Sequence, residues 1–282
     1  EVTDEETDQN GDVTGQTFGV ERIPDPMLIK ELREPNIEDI ESLAGKSYLQ
    51  PNVWYSKETI RPEVVNKLLM IAYDFFDSLK LKEVKIHDII LTGSLANYNW
   101  TDYSDIDLHI MIDYNEVDEN LDLVKDYFDA KRSSWNRSHD IKIKNHEVEI
   151  YVQDVNEPHI STGVYSLIQR SWIVEPTYTE VTFDARDVKI KTDSLVDQIN
   201  RLQGLYNKGL FKQSYDYGIK LKDKLKNFRQ TGLEREGLFS SENLAFKVLR
   251  NSEQIKQLMD LISQSYDHMM SIKENKNEEE QR

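Results

Sequence analysis

The chain predicts an α+β protein in which a mixed sheet covered by helices is followed by a helical bundle. Three observations lead there. Apolar residues recur at helical spacing from Pro62. Short apolar runs of strand length, with one helix among them, occupy residues 88–154, and helical spacing returns from about residue 191 to 272. A length of 282 residues allows one large domain or two ordinary ones. The pattern divides into an acidic arm over 1–47, a sheet-bearing domain over 48–190, a helical domain over 191–272 and a tail over 273–282.

Residues 1–22 hold few apolar side chains and a surplus of acid, so their ordering entropy has little burial to offset it and they are expected to be mobile. A short helix is expected around Ile37, Ile40 and Leu43, ending near Gly45. Pro62 suits the first turn of a stronger one, whose core stripe is Val65, Leu68, Leu69, Ala72, Phe75, Phe76 and Leu79. The runs IILT (89–92), IDLHIMI (106–112), IKI (141–143) and VEIYV (148–152) read as strands, the last two joined by a turn near Asn145. Between the second and third, residues 117–135 carry a helical stripe of Leu121, Val124, Tyr127 and Phe128. GVYSLI (163–168) and WIVEP (172–176) make a further short strand or turn pair. Four helices follow, marked by Leu195, Ile199, Leu202 and Leu205, by Leu221, Leu225 and Phe228, by Leu244 to Leu249, and by Ile255, Leu258, Leu261, Ile262, Tyr266 and Met269. The tail KENKNEEEQR is expected to fray.

The net charge of -17 is uneven. Residues 1–50 hold 13 acidic against 4 basic residues, whereas residues 191–272 hold 13 basic against 10 acidic. Such a chain will not coat nucleic acid nonspecifically, although it can grip an anion locally. The absence of cysteine excludes a disulfide framework, thiolate zinc sites, iron–sulfur ligation and a cysteine nucleophile. No run approaches the roughly 18 apolar residues of a membrane helix, and EVTDEETDQNGD is the reverse of a basic, apolar signal peptide. The expectation is a soluble protein of the cytoplasm with no membrane partner.

The chemistry is concentrated in LTGSLANYNWTDYSDIDLHI, residues 91–110. Gly93 and Ser94 end a predicted strand, where a missing side chain lets backbone N–H groups approach an anion and a hydroxyl adds another donor. A Gly-Ser after a strand is ordinarily just a turn. Asp105 and Asp107 alternate with Ile106 in the next strand, so both carboxylates share one face and can hold a hard cation such as magnesium. An Asp-x-Asp strand is by itself more often a solvated face. Joined by one short crossover, the two features supply what phosphoryl chemistry needs: an anion cradle and a metal pair.

The order Gly-Ser, a gap of about ten residues, then Ser-Asp-Ile-Asp-Leu resembles the signature of the DNA polymerase β-type nucleotidyltransferase superfamily, in particular its minimal members. LQPNVW (49–54), VVNKLLMIAYDFF (64–76), HEVEIYVQD (146–154) and ENLAFKVLR (242–250) are similar to nucleotidyltransferases encoded by tailed bacteriophages, whose place would be the host cytoplasm. The resemblance implies that Asp105 and Asp107 bind two Mg2+ ions, or Mn2+, and that Gly93 and Ser94 contact the phosphates of an NTP. It also implies a third acid on a later strand. Glu147 and Glu149 are both offered there, and Glu149 is preferred because apolar residues flank it and it lies nearer the strand's middle. The reaction implied is transfer of an NMP to an acceptor hydroxyl, on RNA, protein or a small molecule, with release of pyrophosphate. The alternatives are a nucleotide-binding or antitoxin-like module without turnover, and a phage structural or assembly protein with a decayed enzyme fold.

One departure is the missing arginine after Gly-Ser, where this chain has Leu95, Ala96, Asn97 and Tyr98. Lys131, Arg132 and Arg137 are candidates to replace its charge on phosphate, although basic residues late in a helix ordinarily just favour its dipole. On IKLKDKLKNFR (219–229), Lys222, Lys226 and Arg229 form a row that is a candidate for holding an anionic acceptor, or else a set of stems snorkelling beside a buried stripe. His109 shares the acidic face, while His159 and Tyr165 are candidates to line the pocket. The four tryptophans, Trp54, Trp100, Trp135 and Trp172, are dispersed and read as core or lid residues.

Overall fold

The computed structural model describes residues 34–180 and 182–272, together with the backbone of an antiparallel pair, β1 (Val2–Thr7) and β2 (Val13–Phe18). Apart from that pair, the mobility expected at 1–22 and the fraying expected at 273–282 lie outside the described residues. Two compact units appear, one spanning Ile37–Ala185 and the other containing the chain from Arg186 onward.

The first unit begins with α1 (Ile37–Glu41) and α2 (Pro62–Ser78), the latter opened by Pro62 as expected. A six-stranded mixed sheet follows, built from β3 (Asp88–Thr92), β4 (Ile106–Ile112), β5 (Lys142–Ile143), β6 (His146–Asp154), β7 (Val164–Ser166) and β8 (Ser171–Val174). Its order is β5-β6-β4-β3-β7-β8, and β4 and β6 run parallel while every other pair is antiparallel. The crossover between the parallel strands is α3 (Leu121–Ser138). It starts later than the stretch from 117 predicts, because Tyr114–Glu116 form a 3-10 turn and the Asn120 side chain caps the helix by accepting from the Leu123 N–H at 3.3 Å. Leu121, expected in the stripe, is therefore a first-turn residue and exposed. Lys144 and Asn145 join β5 to β6 with positive φ of 51° and 70°, as a two-residue hairpin turn requires.

Strand alternation sorts the sheet's two faces. Ile89 and Leu91 of β3, Ile106, Leu108, Ile110 and Ile112 of β4, and Ile150 of β6 are buried in one core with Val65, Leu68, Ala72 and Phe75 of α2 and Val124 and Phe128 of α3. The opposite face takes Asp107, His109 and Met111 of β4 and Glu149, Tyr151 and Gln153 of β6. A small second cluster of Ile90, Met111 and Val164 covers part of it.

The second unit is a bundle of α4 (Ala185–Asn207), α5 (Phe211–Glu236), α6 (Ser241–Asn251) and α7 (Gln254–Met270). Leu195, Ile199, Leu202, Leu221, Leu225, Leu249, Leu258 and Leu261 form its core. Tyr266, placed in the stripe by its spacing, is exposed and meets Tyr215 at 5.6 Å between ring centroids. Among the described residues no helix is long and apolar enough to cross a membrane.

Candidate active site

Parallel pairing of β4 with β6 sets Asp107 opposite Glu149, His109 opposite Tyr151 and Met111 opposite Gln153. Antiparallel pairing with β3 sets Asp107 opposite Thr92, the residue before Gly93. Asp107 and Glu149 are thus cross-strand neighbours at the end of the sheet where β3 turns. Glu147, the other acid offered by that strand, lies on the β5–β6 hairpin and forms an ion pair with Lys142 at 3.4 Å.

Gly93 is held at φ 73° and ψ -157°, a conformation reserved in practice for glycine. A Cβ placed there would lie 1.8 Å from Oδ2 of Asp107. The missing side chain is what makes room for the Asp107 carboxylate against the turn. Ser94 opens a 3-10 turn through Ala96, and its hydroxyl hydrogen-bonds that of Ser104 at 2.8 Å, tying the phosphate-loop candidate to the residue before Asp105. Ser104 is fixed further by the Thr101 N–H, which donates to its hydroxyl at 2.9 Å. Leu95 and Ala96 are fully buried in the core.

A buried histidine completes this support. His146 lies 2.6 Å through Nδ1 from the Ser104 carbonyl and 3.1 Å through Nε2 from the Gln50 side-chain amide nitrogen. That amide can only donate, so the proton sits on Nδ1 and is given to Ser104. Gln50 is set in turn by the Asn52 N–H, which donates to its Oε1 at 2.5 Å. Sequence reasoning read His146 only as a strand residue, and its partners are too remote along the chain for any local pattern to announce them.

A second network lies on the open face. The Tyr151 hydroxyl donates to Oε2 of Glu149 at 2.5 Å. Its ring stacks on His109, with centroids 4.7 Å apart and 20° between planes, and the Arg132 guanidinium lies 4.7 Å from the ring centre. His109 Nδ1 donates to Oε1 of Gln153 at 2.9 Å. Burial, aided by His159 and Arg132, pulls the His109 imidazole down to about 4, so it is neutral near pH 7. Burial first, and then the bond to Glu149, push the Tyr151 phenol well above its ordinary range. Tyr151 carried no marker in the sequence beyond its place two residues after Glu149.

The other expected residues are placed as follows. Of the basic pair on α3, Arg132 reaches this network, while Lys131 lies over Tyr127 at 5.5 Å. The Nε of Arg137 donates to the Ser133 carbonyl of its own helix at 3.2 Å. Tyr165 belongs to the core, its hydroxyl on the Glu58 carbonyl at 3.2 Å and its ring edge-on to Trp54 and Trp172. In the helical unit Lys222, Lys226 and Arg229 are all exposed, and the Arg229 guanidinium lies 4.6 Å from the Phe246 ring centre with its Nε donating to Asn243 at 3.2 Å. A groove of about 490 Å³ between α2 and the β5–β6 hairpin, lined by Lys67, Met70 and Lys142 among others, includes none of the expected site residues.

Asp105, Asp107 and Glu149 carry the oxygen donors that a hard divalent cation prefers. Among the described residues no three histidine, aspartate or glutamate side chains are gathered into a metal-holding group. Glu149 is turned to Tyr151 instead.

No family model matches the chain, and no curated protein matches it by sequence. Among solved structures, a STING-associated CdnE c-di-GMP synthase from Capnocytophaga granulosa aligns over 74% of this chain and 82% of its own, with 18% sequence identity and a TM-score of 0.20. A superposition that loose carries no argument about fold or reaction.

Proposed function

We propose that the unit spanning Ile37–Ala185 is a metal-dependent nucleotidyltransferase, moving an NMP from an NTP to an acceptor hydroxyl of RNA, protein or a small molecule with release of pyrophosphate. The observation that carries this reading is the register of Asp107 with Glu149 on adjacent parallel strands, at the sheet end where any side chain on Gly93 would collide with the Asp107 carboxylate. This supports the reading by setting Gly93 beside Asp107, one of the two acids.

In this reading Asp105, Asp107 and Glu149 would hold magnesium, which when bound neutralises the triphosphate and makes the acceptor oxygen a stronger nucleophile. Gly93 lets the backbone approach the phosphates without a side chain between, and Ser94 offers its hydroxyl beside them. The Arg132 cation, over the Tyr151 ring, adds positive charge to this face. His109 stacks on the Tyr151 ring and is held there by Gln153.

The test is incubation with each α-labelled NTP, magnesium and separate RNA, protein and small-molecule acceptor fractions, reading label transfer and pyrophosphate. Asp105→Asn and Asp107→Asn should each lower transfer on the order of a thousandfold or more, because several kcal/mol of transition-state charge stabilisation depend on such ligands. Both variants should melt near the parent temperature without metal. Transfer at parental rates in both would remove the assignment.

A further inference from the structure

In the helical unit positive charge gathers where α5 meets α6. Arg229 of α5 is held in place with most of its fork unused. Its Nε donates to Oδ1 of Asn243 at 3.2 Å, and its guanidinium lies 4.6 Å from the Phe246 ring centre. Asn243 is itself fixed, its Nδ2 donating to the Leu238 carbonyl at 2.7 Å and its N–H to the Ser240 hydroxyl at 3.3 Å. Among the described residues, neither terminal nitrogen of Arg229 has a hydrogen-bond acceptor or a carboxylate partner. Helical spacing carries the charge onward. Asn243, Phe246, Lys247 and Arg250 fall within about 100° of one another around α6, so two more cations share the face that Arg229 touches. Lys247 is half-buried there, and burial first, then Arg250 and Arg229, pull its ammonium down to about 8. The three cations are therefore close enough to repel one another. Glu242, the acid just before Asn243, is committed elsewhere: it accepts from Arg235 at 3.0 and 3.1 Å and pairs with Lys191 at 3.4 Å.

We propose that Arg229, Lys247 and Arg250 form a binding site for a phosphoryl group, carried by a small phosphate ligand or by a nucleic acid backbone. The planar fork of a guanidinium matches two phosphoryl oxygens, and the flanking cations suit an anion of more than one charge better than a single carboxylate. A bound anion of that kind also relieves the repulsion within the cluster. The site belongs to the helical unit by itself and does not depend on the reading of Asp105, Asp107 and Glu149.

The test uses the full chain without metal, so that no ion bridges the anion to a carboxylate. Pyrophosphate is followed by titration calorimetry and a labelled single-stranded RNA by fluorescence anisotropy, each at low and high salt. Arg229→Gln should weaken binding by about 10- to 100-fold, the worth of hydrogen bonds to a charged group. Arg229→Lys keeps the charge without the fork and should recover only part of that loss. Lys247→Met, which keeps the stem, should also weaken binding and flatten its salt dependence. Lys212→Gln removes a cation paired with Asp216 elsewhere on α5 and should bind like the parent. A loss confined to RNA assigns the phosphoryl group to a nucleic acid backbone, and a loss with pyrophosphate assigns it to a small ligand. Both uphold the site. A parent that binds neither probe overturns it, as does parental affinity in Arg229→Gln and Lys247→Met, or an equal loss in Lys212→Gln. Should thermal melts show Arg229→Gln unfolded, Lys247→Met against Lys212→Gln decides the matter.

Discussion

The two units are held by polar contacts of different reach. In the helical unit many side-chain bonds close within one helix, four residues apart, as in Lys189 to Asp193, Gln203 to Asn207, Lys212 to Asp216 and Gln230 to Glu234. A few, such as the buried Ser214–Ser265 pair at 2.8 Å, cross between helices. In the sheet unit the corresponding bonds join residues far apart in the chain: Gln50 to His146, Trp54 to the Leu95 carbonyl, Tyr165 to the Glu58 carbonyl and Trp172 to the Lys57 carbonyl. The first kind supports a helix that its own periodicity already favours. The second kind fixes loops whose shape has no local code, and one of them, the Ser94–Ala96 turn, borders the candidate site.

The sharpest way to break this contrast is at Gly93. Gly93→Ala must place a Cβ against Oδ2 of Asp107 while keeping a φ of 73°, so the carboxylate has to rotate away or the turn has to change. A cost of about 2–3 kcal/mol is expected for the backbone conformation alone. Transfer should fall far more than that loss of folded protein explains, because the displaced group is the Asp107 carboxylate. Denaturant melts and single-turnover transfer on the same sample measure both, and an alanine variant with parental activity would show that the carboxylate position is not critical.

What could be read beforehand follows the same division. The four C-terminal helices and α2 were legible because a period of 3.6 survives any tertiary arrangement, and Pro62 announced its helix. Strand alternation made Asp107 legible as a residue of the face opposite the core, whereas Asp105 precedes β4, where alternation does not reach. Glu149 could be ranked above Glu147 from flanking residues, but only the register with β4 places it beside Asp107. His146, Gln50 and Ser104 were invisible as a unit, since a hydrogen bond spanning 96 residues leaves no mark on spacing. Arg229 shows what spacing leaves out: helical geometry puts it in a row with Lys222 and Lys226, all three exposed, but gives no hint that its guanidinium lies over Phe246.

His146 gives a second, smaller test. His146→Leu fills similar space and removes both ring nitrogens, leaving the Ser104 carbonyl and the Gln50 amide without partners in a buried place. The expected loss of stability is about 2–3 kcal/mol. Because Asp105 directly follows Ser104, the folded fraction should also transfer more slowly, with kcat reduced more than the NTP KM is raised. Loss of stability with parental kcat in the folded fraction would confine His146 to holding the loop.

The smallest effect belongs to the helical unit and has the opposite sign. Gly204 lies inside α4, where a Cβ would meet nothing within 4 Å, and it has no left-handed φ. Glycine there gives up more backbone entropy on folding than alanine, so Gly204→Ala should stabilise by about 0.5–1 kcal/mol. Other helical glycines lack that freedom: a Cβ on Gly218 would come within 2.6 Å of Ile262, and one on Gly232 within 2.6 Å of Glu242. The same substitution thus separates positions set by local propensity from positions set by a remote neighbour. Thermal melts of Gly204→Ala should rise by about 2–4 °C with transfer unchanged. A lowered melting temperature would mean that this helix too is governed by contacts beyond its own sequence, and the contrast between the units would lose its cleanest example.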